Sequence, residues 1–342
     1  MKESAAVGST RTGGARLGAR ASATAATSGP APRRGGARSA ACTFAAIGRA
    51  AEIAAPFLKW VGGKRSVLPA ILPLVPGRIE TYHEPFVGGG ALFFALAARG
   101  ARAGPVFRRA ILSDTNAELI TCYTAIRANP ADVLSALADH RGGEEHFYRV
   151  RDQETSLLSL PERAARTIYL NRNGYNGLFR VNRSGKFNVP FGQHAALKTV
   201  STERLWAVSA ALRDVTLRVC DFEACVASAG PGDFVYFDPP YVPVSTSASF
   251  TAYGADGFRD AEQRRLAATL RRLGQDRVPA LLSNSDCPTT RALYRGLPVQ
   301  VVRVARAINS VASGRGRVDE LLVRNFRFSA RSRLPRRANP GP

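Results

Sequence analysis

The apolar run Phe234-Val235-Tyr236-Phe237 ends in Asp238, followed by Pro239, Pro240 and Tyr241: an acid, two rigid residues and an aromatic. Such a run reads as a buried strand that delivers a carboxylate to the start of a loop. Proline donates no N–H, so the carbonyls around the pair are free to accept from a ligand. One carboxylate oxygen and one fixed carbonyl would grip both hydrogens of an amino group. Tyr241 would stack on the ring that bears it. This grip turns the nitrogen lone pair toward a methyl group on a sulfonium, and orientation is the main catalytic resource in such an in-line transfer. The plainer reading is a strand-terminating loop with a capping Asp.

Upstream, Glu84-Pro85-Phe86-Val87-Gly88-Gly89-Gly90 precedes the helical pattern that begins at Ala91. Its glycines let backbone approach a ligand closely, and a helix N-terminus favours negative charge. A dinucleotide fingerprint needs a third glycine where Phe93 stands, so a ligand other than NAD is expected. Asp114 ends the next strand, where folds of this kind set a carboxylate on a ribose hydroxyl. A Gly-rich turn and a helix-capping Asp would use the same residues. Trp60-Val61-Gly62-Gly63-Lys64 fails as a phosphate loop, because Leu58 stands where the first glycine belongs and Arg65 where Ser or Thr should follow Lys64. Trp60 and Lys64 suit an adenine ring and a carboxylate instead, or they are a turn and the start of a helix.

Positioning these residues takes an ordered set of elements. Strand patterns fall at Arg78–His83, Ala110–Ser113, Thr216–Cys220, Phe234–Phe237, Ala280–Ser283, Val299–Val304 and Glu320–Asn325. Helical patterns fall at Ala91–Arg99, stopped by Gly100, and at Ala117–Ala128 and Asp260–Leu273. This alternation predicts an α/β fold, a mostly parallel seven-stranded sheet with helices on both faces. Residues 131–199 break the rhythm, with a Gly-, Asn- and Arg-dense centre from Tyr169 to Gly192. They read as a small inserted module between residues 53–130 and 200–328 of one catalytic domain.

Composition sets the partners. Lys and Arg total 48 against 26 acids, a net charge of +22. Residues 1–50 carry +7 of this and residues 324–342 carry +6, leaving +9 on the chain between them. A field of that sign favours a polyanion, either nucleic acid or an anionic surface. It also fits a solvated basic surface in an Arg-rich proteome. No apolar run approaches the roughly 18–20 residues of a membrane span. The five cysteines are scattered without a C-x-x-C pair, which reads as free thiols, and the four histidines show no ligand spacing with them, so no metal is expected. Residues 1–52 are rich in Ala, Gly, Ser, Arg and Pro and read as a disordered, dispensable basic leader. An organellar transit peptide, a mis-called start and a basic tail on DNA backbone are the rival readings. Residues 329–342 read as a disordered basic tail.

Taken together, Phe57–Lys64, Glu84–Phe94, Leu112–Asn116 and Asp238–Tyr241 resemble the Dam family of DNA adenine-N6 methyltransferases (D12 class), most of which act at GATC. So do Tyr169–Leu178, Phe187–Gly192, Phe250–Tyr253 and Val318–Leu322. The resemblance runs from Phe57 to Asn325 in the family's motif order. It implies a Rossmann-like methyltransferase sheet and a mainly helical inserted target-recognition domain carrying a β-hairpin. It also implies S-adenosyl-L-methionine as cofactor, double-stranded DNA as partner, a monomer, and a bacterial cytoplasmic setting on the nucleoid.

By position, Trp60, Lys64, Asp114 and Asp238 match family residues that bind the cofactor, with Phe86 and Gly88 lining its pocket. Asp221 and Phe222 match an acid–aromatic pair near the cofactor adenine. Asp238, Pro239, Pro240 and Tyr241 match the motif that holds the target adenine. Lys59 matches a contact to a guanine of the site. Tyr175, Asn176, Leu178 and Arg180 match a hairpin that fills the gap left by the flipped base and reads the outer G·C pair, and Pro190 matches a further base contact. Arg172, Arg183 and Lys186 add cations to the same module.

Physics agrees: adenine's amine is out of reach inside a duplex, so the base must be extruded at a cost of a few kcal/mol. Arg bidentate to guanine is the commonest specific contact. Two departures lie outside the core motifs. Ser285 interrupts what usually reads Asn-His-Asp, and Gly254–Gly257 is a small-residue version of a loop near the target pocket. The alternatives are an RNA or protein methyltransferase on the same fold and a DNA-binding relative without catalysis. Protein-glutamine enzymes usually show Asn at the position of Asp238, and cytosine-N4 enzymes Ser. Asp238, Asp114 and Lys64 together argue against loss of catalysis.

Overall fold

Strands buried on both faces read as unbroken apolar runs, and seven of them pair into one sheet in the computed structural model. The structure describes residues 54–60, 62–182, 184–242, 258–305 and 317–327. The leader, the tail, Arg183, Phe250–Tyr253 and Gly254–Gly257 lie outside the described residues. The strands are β1 (Ile79–Glu84), β2 (Phe107–Asp114), β3 (Val215–Val219), β4 (Phe234–Phe237), β5 (Ala280–Ser285), β6 (Val299–Ala305) and β7 (Arg317–Arg324). Their order is β3-β2-β1-β4-β5-β7-β6, and all pairs are parallel except those of β7 with β5 and β6. The expected mostly parallel seven-stranded sheet is therefore present.

Between the strands run α1 (Leu68–Ile71), α2 (Ala91–Ala103), α3 (Ala117–Ala128), α4 (Pro130–Ala138), α5 (Glu144–Arg151), α6 (Leu160–Asn173), α7 (Thr202–Ala211), α8 (Phe222–Cys225), α9 (Asp260–Gln275) and α10 (Pro288–Leu293). The period-2 alternation of strand side chains divides the core in two. Phe234 and Tyr236 of β4, Leu281 of β5 and Leu322 of β7 face a cluster with Tyr82, Leu112 and Phe93. Val235, Phe237, Leu282, Leu321 and Val323 face another with Phe222, Leu266 and Leu270. A third cluster, Phe147, Val150, Tyr169, Leu170, Phe179, Phe187 and Val189, lies within residues 131–199.

The strand order reverses between β1 and β4, and open α/β sheets place ligands outside the carboxyl ends of strands at such a point. Glu84 ends β1, Asp114 ends β2 and Asp238 follows β4, so this edge gathers the acids singled out above.

Two expectations need correction. Helix α2 does not stop at Gly100 but continues to Ala103, with Gly104 at φ +91° as its cap before Pro105. A Cβ on Gly100 would lie 3.4 Å from the Cα of Pro105, so its glycine serves the close return of the chain rather than a helix end. The dense centre Tyr169–Gly192, the stretch of the inserted module expected to carry its β-hairpin, is hairpin only in part. Tyr169–Asn173 form the last turns of α6, and the hairpin pairs Gly174 with Phe191 and Val181 with Phe187.

No helix among the described residues is long and apolar enough to cross a membrane. Among the same residues no three His, Cys, Asp or Glu side chains gather as metal ligands.

Candidate functional site

The loop after β1 depends on Gly88. It adopts φ +45°, and a Cβ there would come within 2.7 Å of the Trp60 indole. Its N–H donates to Asp114 Oδ2 at 3.2 Å and its carbonyl accepts from the Tyr123 hydroxyl at 3.0 Å. Asp114 Oδ1 accepts from the N–H of Asn116 at 3.0 Å, while Asn116 itself caps α3 by accepting from Leu119 N–H. The cap of that helix is therefore Asn116, and Asp114 braces the glycine loop. Burial pushes the Asp114 carboxyl up to about 6, against the pull of the N–H groups that it accepts.

Asp238 lies 2.9 Å through Oδ1 from the Lys64 ammonium, which is almost wholly buried. That ammonium also donates to the carbonyl of Gly62 at 2.6 Å and stands 4.5 Å from the centre of the Tyr241 ring. Burial raises the Asp238 carboxyl to about 6, and Lys64 opposes the rise.

The loop Asp238–Val242 is clamped from three elements. The Tyr241 hydroxyl donates to Glu320 of β7 at 2.8 Å. Val242 N–H donates to Asn284 Oδ1 of β5 at 3.1 Å. The Nδ2 of Asn284 donates to Gln263 of α9, and Gln263 Nε2 donates to the Pro240 carbonyl at 2.9 Å.

That last bond corrects the expectation of free proline carbonyls. Pro240's is taken, and Pro239's makes no hydrogen bond among the described residues. Ser285, expected to lie apart from the core motifs, donates its hydroxyl to the Val242 carbonyl at 2.7 Å and so helps to set the loop.

Phe86 stacks on Phe222 at 5.6 Å and meets Phe258 and Phe237 edge-on at 5.5 and 6.5 Å. This aromatic wall adjoins Asp238 through Phe237. Asp221 starts α8, accepting from Glu223 N–H at 2.9 Å and from Arg265 at 3.0 Å, so one of its oxygens is already engaged.

Lys59 and the hairpin are joined by Asn171, wholly buried on α6. Its Oδ1 accepts from Lys59 N–H at 2.8 Å, and its Nδ2 donates to the carbonyls of Lys59 and Gly177 at 2.8 and 3.1 Å. A Cβ on Gly177, at φ +64°, would lie 2.3 Å from Lys59 Cδ, so only glycine lets the turn sit on that side chain. Tyr175 is 48% exposed, and its N–H donates to the Pro190 carbonyl at 2.8 Å. Asn176 is exposed at φ +54°, and Leu178 N–H donates to the Tyr175 carbonyl at 3.2 Å. Arg180 is exposed and bonded to Asn188.

Partial burial, then Lys198 and Arg172, hold the Lys59 ammonium below its ordinary value. Arg172, grouped above with the DNA-facing cations, donates instead to the carbonyls of Thr199 and Phe57 at 2.7 and 2.8 Å, a structural role.

Trp60 links the two groups of residues. Its edge abuts Gly88, and its face stacks on Phe179 of the hairpin at 5.4 Å and 26°. The structure thus brings Trp60, Gly88 and Asp114 together, and Lys64, Asp238 and Tyr241 together. It also brings Lys59 against Gly177, in the turn whose Tyr175 bonds to Pro190.

Glu84, Asn171, Asn188, Gln263 and Asn284 went without a role in the sequence reading. Two left a signal, since Gln263 and Asn171 interrupt the apolar stripes of α9 and α6 and are buried there. Glu84 accepts from the Tyr82 hydroxyl at 2.9 Å, and burial pushes its carboxyl to about 8.

A family model described as D12 class N6 adenine-specific DNA methyltransferase matches residues 60–308. The Type II methyltransferase M1.LlaDCHI of Lactococcus lactis subsp. cremoris is 38% identical over 279 residues, covering 79% of this chain and 95% of the relative. The Type II methyltransferase M.MjaIII of Methanocaldococcus jannaschii is 36% identical over 290 residues, covering 79% and 99%. A DNA adenine methylase of Escherichia coli strain K12 is 34% identical over 271 residues, covering 78% and 94%.

Proposed function

The chain belongs to the D12 class N6 adenine-specific DNA methyltransferases, and from that premise we propose that it methylates adenine N6 in duplex GATC with S-adenosyl-L-methionine as donor. The observation that carries the reading is the Lys64–Asp238 pair, 2.9 Å apart beside the Tyr241 ring at the switch point of the sheet. Asp238 Oδ1 is buried and, among the described residues, has no hydrogen-bond partner besides that ion pair, which supports reading it as an acceptor for an amine.

In the proposed complex the target adenine leaves the helix and its amine donates one hydrogen bond to Asp238 and another to the Pro239 carbonyl. This grip orients the nitrogen lone pair, and the Tyr241 ring, fixed by Glu320, offers the base a stacking face. The ammonium of Lys64 gives way at Oδ1 while keeping the site cationic enough to hold Asp238 ionised. The proton lost by the methylated nitrogen leaves by way of the Asp238 carboxylate, whose raised affinity, about 6, suits it to pass the proton on.

The residues present fit the proposed donor. Gly88 leaves no room for a side chain beside Trp60, which keeps backbone at the edge of the pocket. Among the described residues Asp114 accepts only from backbone N–H groups, which supports a further role for its lone pairs toward ribose hydroxyls, and Phe86 and Phe222 offer a stacked aromatic wall for an adenine ring. Lys64, Asp221 and Asp238 are the charged groups of the same set. When bound, S-adenosyl-L-methionine supplies an electron-poor methyl group on sulfur.

Residues 131–199 form the DNA-reading module in this account. Lys59 and Arg180 take guanines, Tyr175, Asn176 and Leu178 belong to the hairpin that fills the gap left by the extruded base, and Pro190 makes a further base contact. The enzyme acts as a monomer without metal, in a bacterial cytoplasm. The test is transfer of tritiated methyl to duplexes that differ only in the presence of GATC. Equal rates on both would defeat the specificity.

A further inference from the structure

Arg180 does not hang free from the hairpin. Its Nε donates to Asn188 Oδ1 at 2.8 Å and its Nη2 to the Asn188 carbonyl at 3.2 Å, while Asn188 N–H donates to the Arg180 carbonyl at 3.0 Å. One residue on the facing arm therefore holds the arginine by both side chain and backbone. The arms are set on either side of it. Val181 bridges Phe187, Phe179 meets Phe187 edge-on at 5.6 Å, and the tip is closed by Asn182 Oδ1, which accepts from the N–H groups of Ser184 and Lys186.

A guanidinium presents its donors in a rigid planar fork. Fixing Nε and one hydrogen of Nη2 on Asn188 fixes the plane of the whole group. Among the described residues Nη1 makes no hydrogen bond, so the end of the fork points away from Asn188 with paired N–H groups available. Those are the donors that a bidentate contact to guanine O6 and N7 requires. An arginine has several rotatable bonds to immobilise before it can make that contact, and immobilising them before binding raises affinity for the correct partner without a new contact. Arg172 also spends Nε and one Nη, on the Thr199 and Phe57 carbonyls, but it is half-buried where Arg180 is exposed.

We propose that Asn188 is a specificity-determining positioning residue: it holds Arg180 in the orientation that reads a base pair. This rests on the reading of Arg180 as a base-contacting residue. Asn188 acts through Arg180 and touches the base only by way of it.

The test measures kcat/KM on the cognate duplex and on duplexes with each base pair of the site substituted in turn. Wild type, Arg180→Ala, Asn188→Ala, Asn188→Asp and the Arg180→Ala/Asn188→Ala double variant are compared, with Tm for each. Asn188→Ala is expected to lose about tenfold of discrimination at the same base pair as Arg180→Ala, with the ranking at other positions and the Tm kept. The double variant should be no worse than Arg180→Ala alone. Asn188→Asp keeps an acceptor for Nε and should restore the discrimination. A loss spread equally over all duplexes in Asn188→Ala, or a double variant with additive losses, would overturn the proposal. An unchanged ranking in Arg180→Ala would instead remove the premise, and that result is read from a different variant.

Discussion

The almost wholly buried ammonium of Lys64 and the partly buried carboxylate of Asp238 form an ion pair at 2.9 Å that ties the segment before α1 to the loop after β4. Burial, with a smaller push from Glu320, drives the Asp238 carboxyl upward, and Lys64 is the largest opposing influence. The pair decides at what pH Asp238 is an acceptor and therefore at what pH the proposed grip on an amine exists.

Replacing Lys64 by Met removes that opposition. The acid limb of kcat/KM, expected near 6 in the wild type, should move to higher pH, and the rate at neutral pH should fall by about a hundredfold or more. Asp114 titrates in the same range, so the profile is measured at saturating cofactor. A limb that stays in place would mean that Lys64 does not set the charge of Asp238.

Much of this arrangement is legible in sequence because its physical causes are local. A strand buried on both faces must be apolar along its length, and Phe234–Phe237 is; the acid that follows then stands at the sheet's edge. The helix stop at Gly100 was illegible because what that glycine accommodates is the returning chain at Pro105, which no local pattern encodes. Likewise, the loss of the Pro240 carbonyl to Gln263 depends on where α9 crosses the sheet. Asn188 reads as any polar loop residue until the facing arm of the hairpin brings Arg180 to it.

Gly88→Ala should be costly for a different reason. The new methyl meets the Trp60 indole at 2.7 Å, and φ +45° is strained for any other residue. A loss of about 1–3 kcal/mol in stability is expected. Displacing Trp60 should also weaken S-adenosyl-L-methionine binding about tenfold or more, as read by calorimetry. Unchanged affinity would place the cofactor away from this loop.

Glu84 provides a test in stability alone. Its carboxyl is raised from an ordinary 4.5 to about 8 in the fold, so between those values the unfolded chain ionises while the folded one resists. Stability from this group is full below about 4.5 and is lost as pH rises toward 8. Glu84→Gln removes the loss, and its gain over the wild type should grow with pH to on the order of a few kcal/mol near pH 8. Denaturant unfolding at acidic and alkaline pH measures it, and a gain independent of pH would contradict the cause.

Tyr175 is half exposed, so Tyr175→Ala should change Tm little, within about 0.5 kcal/mol of stability. Its proposed work is to fill the gap beside an extruded base. The variant should lose about tenfold or more on matched duplex, and a mismatch opposite the target adenine should restore part of the loss, because less pairing is then broken. Equal losses on matched and mismatched DNA would count against the role.

The central claim is that Asp238 holds the amine that receives the methyl group. Its most direct test is the single-turnover rate of tritiated methyl transfer from S-adenosyl-L-methionine to a GATC duplex, in wild type and in Asp238→Ala. The account predicts N6-methyladenine as the product and a fall of at least about a hundredfold in the variant. Transfer by Asp238→Ala at the wild-type rate would contradict it.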